Sequence, residues 1–141
     1  MISDTHGLLR PEALRFLRGA DHIIHAGDIG SPKLLDELRG IAPVIAVRGN
    51  NDRGRALPKT ANFKVEGVEI HVLHDIAELR SKVGIRVVVS GHSHKPKIEE
   101  RDGVLYVNPG SAGPRRFTLP IAVGELKISG KSVRARIKEL T

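Results

Sequence analysis

The apolar runs of this chain are short, and each stops in a polar loop. "DHIIHAGD" (21–28) and "APVIAVRGN" (42–50) read as buried strands of a few residues that end in a glycine-containing turn, and "RVVVS" (86–90) runs into "GHSHKPKI" (91–98). Helical patterns lie between them. "RPEALRFLRG" (10–19) puts Pro11 at a first helical position, Leu14 and Leu17 on one face and Gly19 at the stop. "SPKLLDELRG" (31–40) repeats the device with Ser31, Pro32 and Gly40, and "IAELRSKVG" (76–84) predicts a third helix ending at Gly84.

The later part of the chain reads as hairpins: one at Glu66-Gly67 within "NFKVEGVEIHVLHD", one around Asp102-Gly103 and one around Ser129-Gly130. Strand and helix alternation followed by hairpins predicts an α/β layered domain, its sheet begun in βαβ fashion and finished with antiparallel strands, as two packed sheets flanked by helices. A length of 141 residues suits one domain, 1–141, with a core that needs no staples. The absence of cysteine removes disulfides, thiolate metal sites and cysteine nucleophiles together. No basic-then-apolar leader and no apolar run of membrane-spanning length is present, so the expectation is a soluble, cytoplasmic protein with no membrane partner.

Lys and Arg number 23 against 16 Asp and Glu, a net charge of +7 that favours an anionic partner. The excess is dispersed, with concentrations at Arg48, Arg53 and Arg55, at Arg115 and Arg116, and from Lys131 to Lys138. Aromatic residues make up only 3%, which leaves few stacking platforms and favours attraction to phosphate over reading of bases. A nucleic-acid-binding module is therefore the third reading of this chain.

The polar residues that carry chemistry fall at the strand ends. Asp4 and His6 stand in "SDTHG", Asp28 in "AGDIG", Asn50 in "RGNND", His74 in "VLHD", and His92 and His94 in "GHSH". Open α/β sheets place ligand sites beyond the carboxyl ends of their strands, so these seven residues are expected to converge. His92 and His94, at i and i+2 of an extended strand end, would point to the same side. Carboxylate, amide and imidazole donors without sulfur suit manganese, iron, zinc, nickel or cobalt. Seven donors exceed one tetrahedral site and suit two metals sharing a carboxylate, roughly 3.5–4 Å apart. Gly7, Gly27, Gly49 and Gly91 each adjoin one of these residues, where a missing β-carbon permits sharp turns and close packing.

In this order Asp4-Thr5-His6, Gly27-Asp28, Gly49-Asn50, His74 and Gly91-His92-Ser93-His94 resemble the calcineurin-like metallophosphoesterase superfamily, particularly its small bacterial and archaeal phosphodiesterases. "NPGSAGPR" (108–115) resembles that family's later loop. The resemblance implies a four-layer α/β/β/α sandwich, here with a truncated first strand because only Met1, Ile2 and Ser3 precede Asp4. It also implies that Asp4, His6 and His94 hold a first metal, that Asn50, His74 and His92 hold a second, and that Asp28 bridges them. The metals would be two divalent transition-metal ions, manganese foremost, with nickel, iron, zinc or cobalt as alternatives. The implied activity is hydrolysis of a small phosphate-ester substrate, a phosphodiester above all, by metal-activated hydroxide.

Many phosphomonoesterases of that family carry a histidine after the metal-binding Asn, where this chain has Asn51, and an amide cannot protonate a leaving group. Asn51, as a hydrogen-bond donor to phosphate, and Asp52, either orienting water or Asn51 or else a loop carboxylate bonding its own backbone, are the catalytic candidates. Arg48 and Arg53 flank the loop, either as phosphate holders or as surface charges and partners of nearby carboxylates. His22 and His25 are expected to be packed or hydrogen-bonded, His71 to lie on the face opposite the site, Asp75 to cap the third helix, and Ser111 to belong to a tight turn. The competing reading is a noncatalytic protein-interaction scaffold on the same fold, the role of a eukaryotic retromer subunit related to this superfamily. The sequence leaves room for a homo-oligomer.

Overall fold

Pro11 and Pro32 open the helices α1 (Pro11–Leu17) and α2 (Pro32–Arg39) in the computed structural model, which describes residues 1–52 and 56–140. The first helical N–H has no partner within a helix, so proline there sacrifices no bond and presets the backbone. Ala13 and Leu17 of α1 and Leu34, Leu35 and Leu38 of α2 turn inward against Ile2, Ile23, Ile29, Ile121 and Val123.

The strands, in chain order, are β1 (Ile23–His25), β2 (Val44–Ala46), β3 (Thr60–Val65), β4 (Val68–Leu73), β5 (Val87–Val89), β6 (Lys97–Arg101), β7 (Val104–Asn108), β8 (Ile121–Ser129) and β9 (Ser132–Leu140). β1 and β2 pair in parallel, while β8 and β9 form an antiparallel hairpin in which Ser129 faces Ser132. That register puts the turn at Gly130-Lys131, one position beyond the expected Ser129-Gly130. The first strand reduces to a single parallel bridge between Ile2 and His25. The short segment that carries it joins the two pairs into one layer. Ile2 N–H donates to Ile24 O at 2.8 Å and Ala26 N–H to Ile2 O at 3.0 Å, while Gly124 N–H donates to Met1 O at 2.9 Å on the other side.

The second sheet has the order β3-β4-β5-β7-β6, with β5 parallel to both of its neighbours and hairpins at either edge. Both hairpin turns fall where expected, and both central residues take positive φ, 48° and 81° at Glu66-Gly67 and 51° and 77° at Asp102-Gly103. Such turns match the twist of the flanking strands. Ile70, Val72, Val87, Val89 and Val107 of this sheet meet Ile24, Ala26 and Val47 of the first across the main core. Helices, sheet, sheet and an outer cover make the α/β/β/α sandwich.

The outer cover is thinner than predicted. In place of a helix over 76–84 there is one 3-10 turn, Ile76–Glu78, whose first N–H groups are capped by Asp75 as Ala77 N–H donates to its carboxylate at 3.0 Å. Beneath it the sheet offers a small apolar patch of Leu73, Val88 and Val104, against which Leu79 and Ile85 pack. A helix would have to seat Ile76 and Val83 there too, and these are 41% and 90% exposed. With so little surface to bury, a nine-residue helix has no tertiary support and is too short to persist alone. No helix among the described residues is long and apolar enough to cross a membrane.

Candidate metal centre

Asp28 follows β1, Asn50 follows β2, His74 follows β4, His92 and His94 follow β5, and Asp4 and His6 follow the Ile2 bridge. Five of the seven meet in one cluster. Asp4 Oδ1 lies 3.3 Å from His94 Nε2, 3.8 Å from His74 Nε2 and 3.9 Å from His6 Nε2. Asp28 Oδ2 lies 3.4 Å from His74 Nε2 and 3.8 Å from His6 Nε2.

Each carboxylate is anchored through its other oxygen. Asp4 Oδ2 accepts from the Ser3 hydroxyl at 2.7 Å and from His92 N–H at 3.1 Å, and Asp28 Oδ1 accepts from Asn51 N–H at 2.9 Å. His74 donates Nδ1–H to the Ala26 carbonyl at 2.7 Å, which turns Nε2 toward the carboxylates. Asp4 Oδ1, His6 Nε2 and His74 Nε2 are buried with no hydrogen-bond partner among the described residues. Buried polar atoms are rarely left so, and three converging ones are what a cation would satisfy. Two groups that share Asp4, one with His6 and His94 and one with Asp28 and His74, each bring ligand atoms within 4.8 Å of one another, a donor set that fits a divalent cation.

The electrostatics agree. Burial works against ionisation of Asp28, yet the His74 ring, the Asn51 N–H and the charge of His6 hold its carboxyl well below the usual carboxylate range. Burial likewise opposes a proton on His74, but the adjacent Asp28 carboxylate, the hydrogen bond to Ala26 O and the charge of Asp4 push its imidazole up. His94 is pushed down, first by burial and then by the charges of Arg116 and His6, against the pull of Asp4.

The His92–His94 pair is not an extended strand end. Both residues have left-handed backbones, φ 70° and 62°, as do Asp4, His6 and Asp28 at 53°, 46° and 56°. Side-chain-bearing residues hold such geometry at about 1–3 kcal/mol each, and only where neighbouring structure imposes it. The kink separates the two imidazoles. His94 is buried against Asp4, whereas His92 is exposed, with its ring 5.2 Å from that of His74 and its Nε2 3.8 Å from Asp75 Oδ2. Asn50 is exposed and shares with Arg48, Lys59, His74 and Asp75 a cavity of about 420 Å³. His92 and Asn50 thus sit on the His74 side, and His6 and His94 on the other.

Asn51 is at the site: its Nδ2–H donates to Asp28 Oδ2 at 3.2 Å. Asp52 is not, which corrects its reading as a catalytic group. It is fully buried, and its oxygens accept from the N–H groups of Ile29 at 3.1 and 3.2 Å, Gly30 at 3.4 Å and Gly49 at 2.8 Å. Asp52 is a positioning residue that clamps the Asp28 loop to the Asn50 loop. Arg53 and Arg55 lie outside the described residues.

His25 and His71 behave as expected, whereas His22 is exposed, its ring 6.2 Å from that of Phe63. His25 is buried, accepts Gly27 N–H at Nδ1 (3.1 Å) and so donates from Nε2 to Thr5 Oγ1 (2.9 Å), whose own proton goes to Ile29 O (2.9 Å). His71 pairs with Asn62 on the outer face of the second sheet, and the Ser111 hydroxyl is spent on Asp4 O at 3.0 Å. Sequence reasoning missed Ser3 as the anchor of Asp4. It also missed Asn108, which donates to Gly91 O at 2.9 Å and Ser93 Oγ at 3.1 Å and so braces the histidine loop. The "NPGS" loop was visible, but nothing in it says which carbonyl its Asn reaches.

Close approach explains Gly49, where an added Cβ would overlap Asp28 Oδ1 and the Asp28 backbone nitrogen. Gly49→Ala is therefore expected to lower stability by about 1–3 kcal/mol, the usual cost of overpacking, and to lower metal content with it. Denaturant melts and elemental analysis check this; a variant with parental stability and metal content would mean the loops yield freely.

Residues 1–131 match the family model described as the calcineurin-like phosphoesterase superfamily domain. The chain belongs to that superfamily. A probable metallophosphoesterase of Methanothermobacter thermautotrophicus is 38% identical, the alignment covering 97% of this chain and 89% of the relative. A phosphodiesterase of Methanocaldococcus jannaschii is 27% identical over 99% of this chain and 98% of its own length. Among solved structures, Vps29 of Entamoeba histolytica complexed with Zn2+ superposes with a TM-score of 0.76 at 21% identity, covering 98% of this chain and 96% of that one. This calcineurin-like phosphoesterase domain therefore has the metallophosphoesterase fold, and its family implies divalent metal ions and phosphate-ester substrates.

Proposed function

We propose that residues 1–141 form a single-domain, binuclear metal-dependent phosphodiesterase. The observation that carries this reading is the set of buried, unpartnered donor atoms of Asp4, His6 and His74 around two carboxylates, each already anchored by its other oxygen. Asp4, His6 and His94 would hold one ion, Asn50, His74 and His92 the other, with Asp28 between them. The phosphodiesterase and metallophosphoesterase names of the relatives support the activity. The oxygen and imidazole donors favour manganese, with zinc, the ion of the Vps29 complex, as the next choice.

Bound divalent cations supply Lewis acidity toward phosphate oxygens and activation of water as a nucleophile. The chain's own residues do the rest. Arg48 and Lys59 on one flank and Arg115 and Arg116 on the other draw an anionic ester toward the cluster. Asn51, held by Asp28, donates to a phosphate oxygen but cannot protonate a departing one, so esters with acidic leaving groups are favoured.

The test is elemental analysis of the purified chain together with metal-dependent hydrolysis of aryl phosphate diesters. His92→Ala is expected to lower the metal content from about two ions per chain toward about one and to slow turnover more than about tenfold, because a direct ligand is removed. Undiminished metal-dependent turnover in that variant would sink the ligand assignment. The scaffold reading is favoured by one observation, the shared fold with Vps29. It predicts that the parent binds metal without hydrolysing any diester.

A further inference from the structure

We propose that Phe117 and Arg116 form a nucleotide subsite beside the candidate metal centre, Phe117 stacking on the base and Arg116 pairing with phosphate. This rests on the phosphodiesterase reading for the place of the reacting phosphate. The other two phenylalanines are packed, Phe16 against the helix-side core and Phe63 between the sheets. Phe117 is 88% exposed and has a left-handed backbone, φ 52°. It occupies the first central position of a turn closed by Leu119 N–H donating to Arg116 O at 3.0 Å, with Arg115 Nη1 donating to Leu119 O at 3.2 Å. A left-handed first central residue is ordinarily Gly, Asn or Asp. A bulky residue there is a true outlier, and an exposed ring gains no packing energy to offset the strain.

The position explains the cost. Phe117 and Arg116 share with His6, Asn51 and His94 a cavity of about 510 Å³. That volume lies within the range of about 300–1,000 Å³ typical of small-molecule sites and exceeds what a lone phosphate needs. One open aromatic face, a guanidinium and a phosphate-binding cluster on one wall match a planar base joined through ribose to a phosphate. A single ring is one platform, not a track, so the ligand is a mononucleotide or the terminal nucleotide of a diester; a chain with 3% aromatic residues carries no series of stacked bases.

Calorimetric titration of the manganese-supplemented protein with AMP and, separately, with inorganic phosphate tests the assignment. Phe117→Ala is expected to weaken AMP about tenfold and leave inorganic phosphate unchanged, since base stacking on an aromatic ring is sequence-tolerant and separable from phosphate contacts. Phe117→Trp should restore the AMP affinity. Because the ring is exposed, neither change should shift the melting temperature. Equal binding of AMP by parent and Phe117→Ala, or parallel loss of AMP and phosphate binding, overturns the subsite. A parent that binds AMP through Phe117 yet hydrolyses no diester sinks the proposed function and leaves the subsite standing. A parent that hydrolyses aryl diesters without any Phe117-dependent preference for AMP sinks the subsite alone.

Discussion

Asp28→Asn is expected to reduce turnover of aryl phosphate diesters more than about 100-fold, beyond the upper range for losing a hydrogen bond that merely supports a ligand. The side chain keeps its shape and can still accept Asn51 N–H at Oδ1, so the loops should stay in place. What changes is the charge on the atom that faces both His6 and His74. Metal content should fall with activity. The metal-free protein offers an independent readout, because Asp28 is a main reason the His74 imidazole is pushed up. A histidine raised in the folded state contributes stability that is fully present below its unfolded value of about 6.5 and is lost as pH rises through the folded one. In Asp28→Asn that acid-side contribution shrinks, and the His74 proton resonances should titrate at lower pH than in the parent. Rates within a few-fold of the parent at unchanged metal content would remove Asp28 from between the ions.

The second large effect is acid instability with its origin at His25. Burial pushes this imidazole down to about 3, with the nearby charge of Asp52 opposing the shift. Its ring nitrogens are committed, one accepting from Gly27 and one donating to Thr5, so a second proton would have to displace Gly27 N–H. The unfolded chain takes up that proton near pH 6.5 and the folded chain does not. Stability from this group is therefore full above about 6.5, falls as pH drops, and is gone below the folded value near 3. At 1.36 kcal/mol per unit the displacement corresponds to about 5 kcal/mol, a large share of the total stability of a small domain. His25→Gln keeps a donor for Thr5 but cannot titrate. It should be less stable than the parent at neutral pH by about 1–3 kcal/mol, because Gly27 N–H loses its acceptor. Its urea midpoint should then decline less steeply between pH 6.5 and pH 3. Parallel pH profiles for the two proteins would place the acid sensitivity elsewhere.

The two helices opened by Pro11 and Pro32 and the hairpins at Glu66-Gly67 and Asp102-Gly103 were legible because local chemistry decides them. The segment 76–84 was not, because its periodicity promises an apolar face and only the tertiary structure shows that the sheet beneath it is too small to receive one. The candidate ligands were legible from their strand-end positions and order. Their orientation was not: spacing at i and i+2 would put His92 and His94 on the same side of a strand, and two left-handed backbones send them to different sides. Asp52 reads in sequence as one more loop carboxylate beside Asn51. Its burial under three backbone donors depends on Ile29 and Gly30, more than twenty positions away, and no local pattern announces that.

The placement of Met1–Ser3 has a kinetic consequence. These residues lie between β1 and β8, and the backbone around Asp4 is tied to the far end of the chain: Ala112 N–H donates to Ser3 O at 3.0 Å, the Ser111 hydroxyl to Asp4 O at 3.0 Å, and Gly124 N–H to Met1 O at 2.9 Å. Contacts separated by more than a hundred positions form late, since the intervening loop must close before any of them is gained. During synthesis, Asp4 therefore leaves the ribosome before residues 111–124 and waits for them. The parallel β1–β2 pair and the β3–β4 hairpin can collapse around it, but the oxygen it presents to the three imidazoles acquires its direction only when residues 111–124 dock. Pulse-labelled hydrogen exchange during refolding should find the amides of Ala112 and Gly124 among the last to gain protection, and capture of metal should follow them rather than lead.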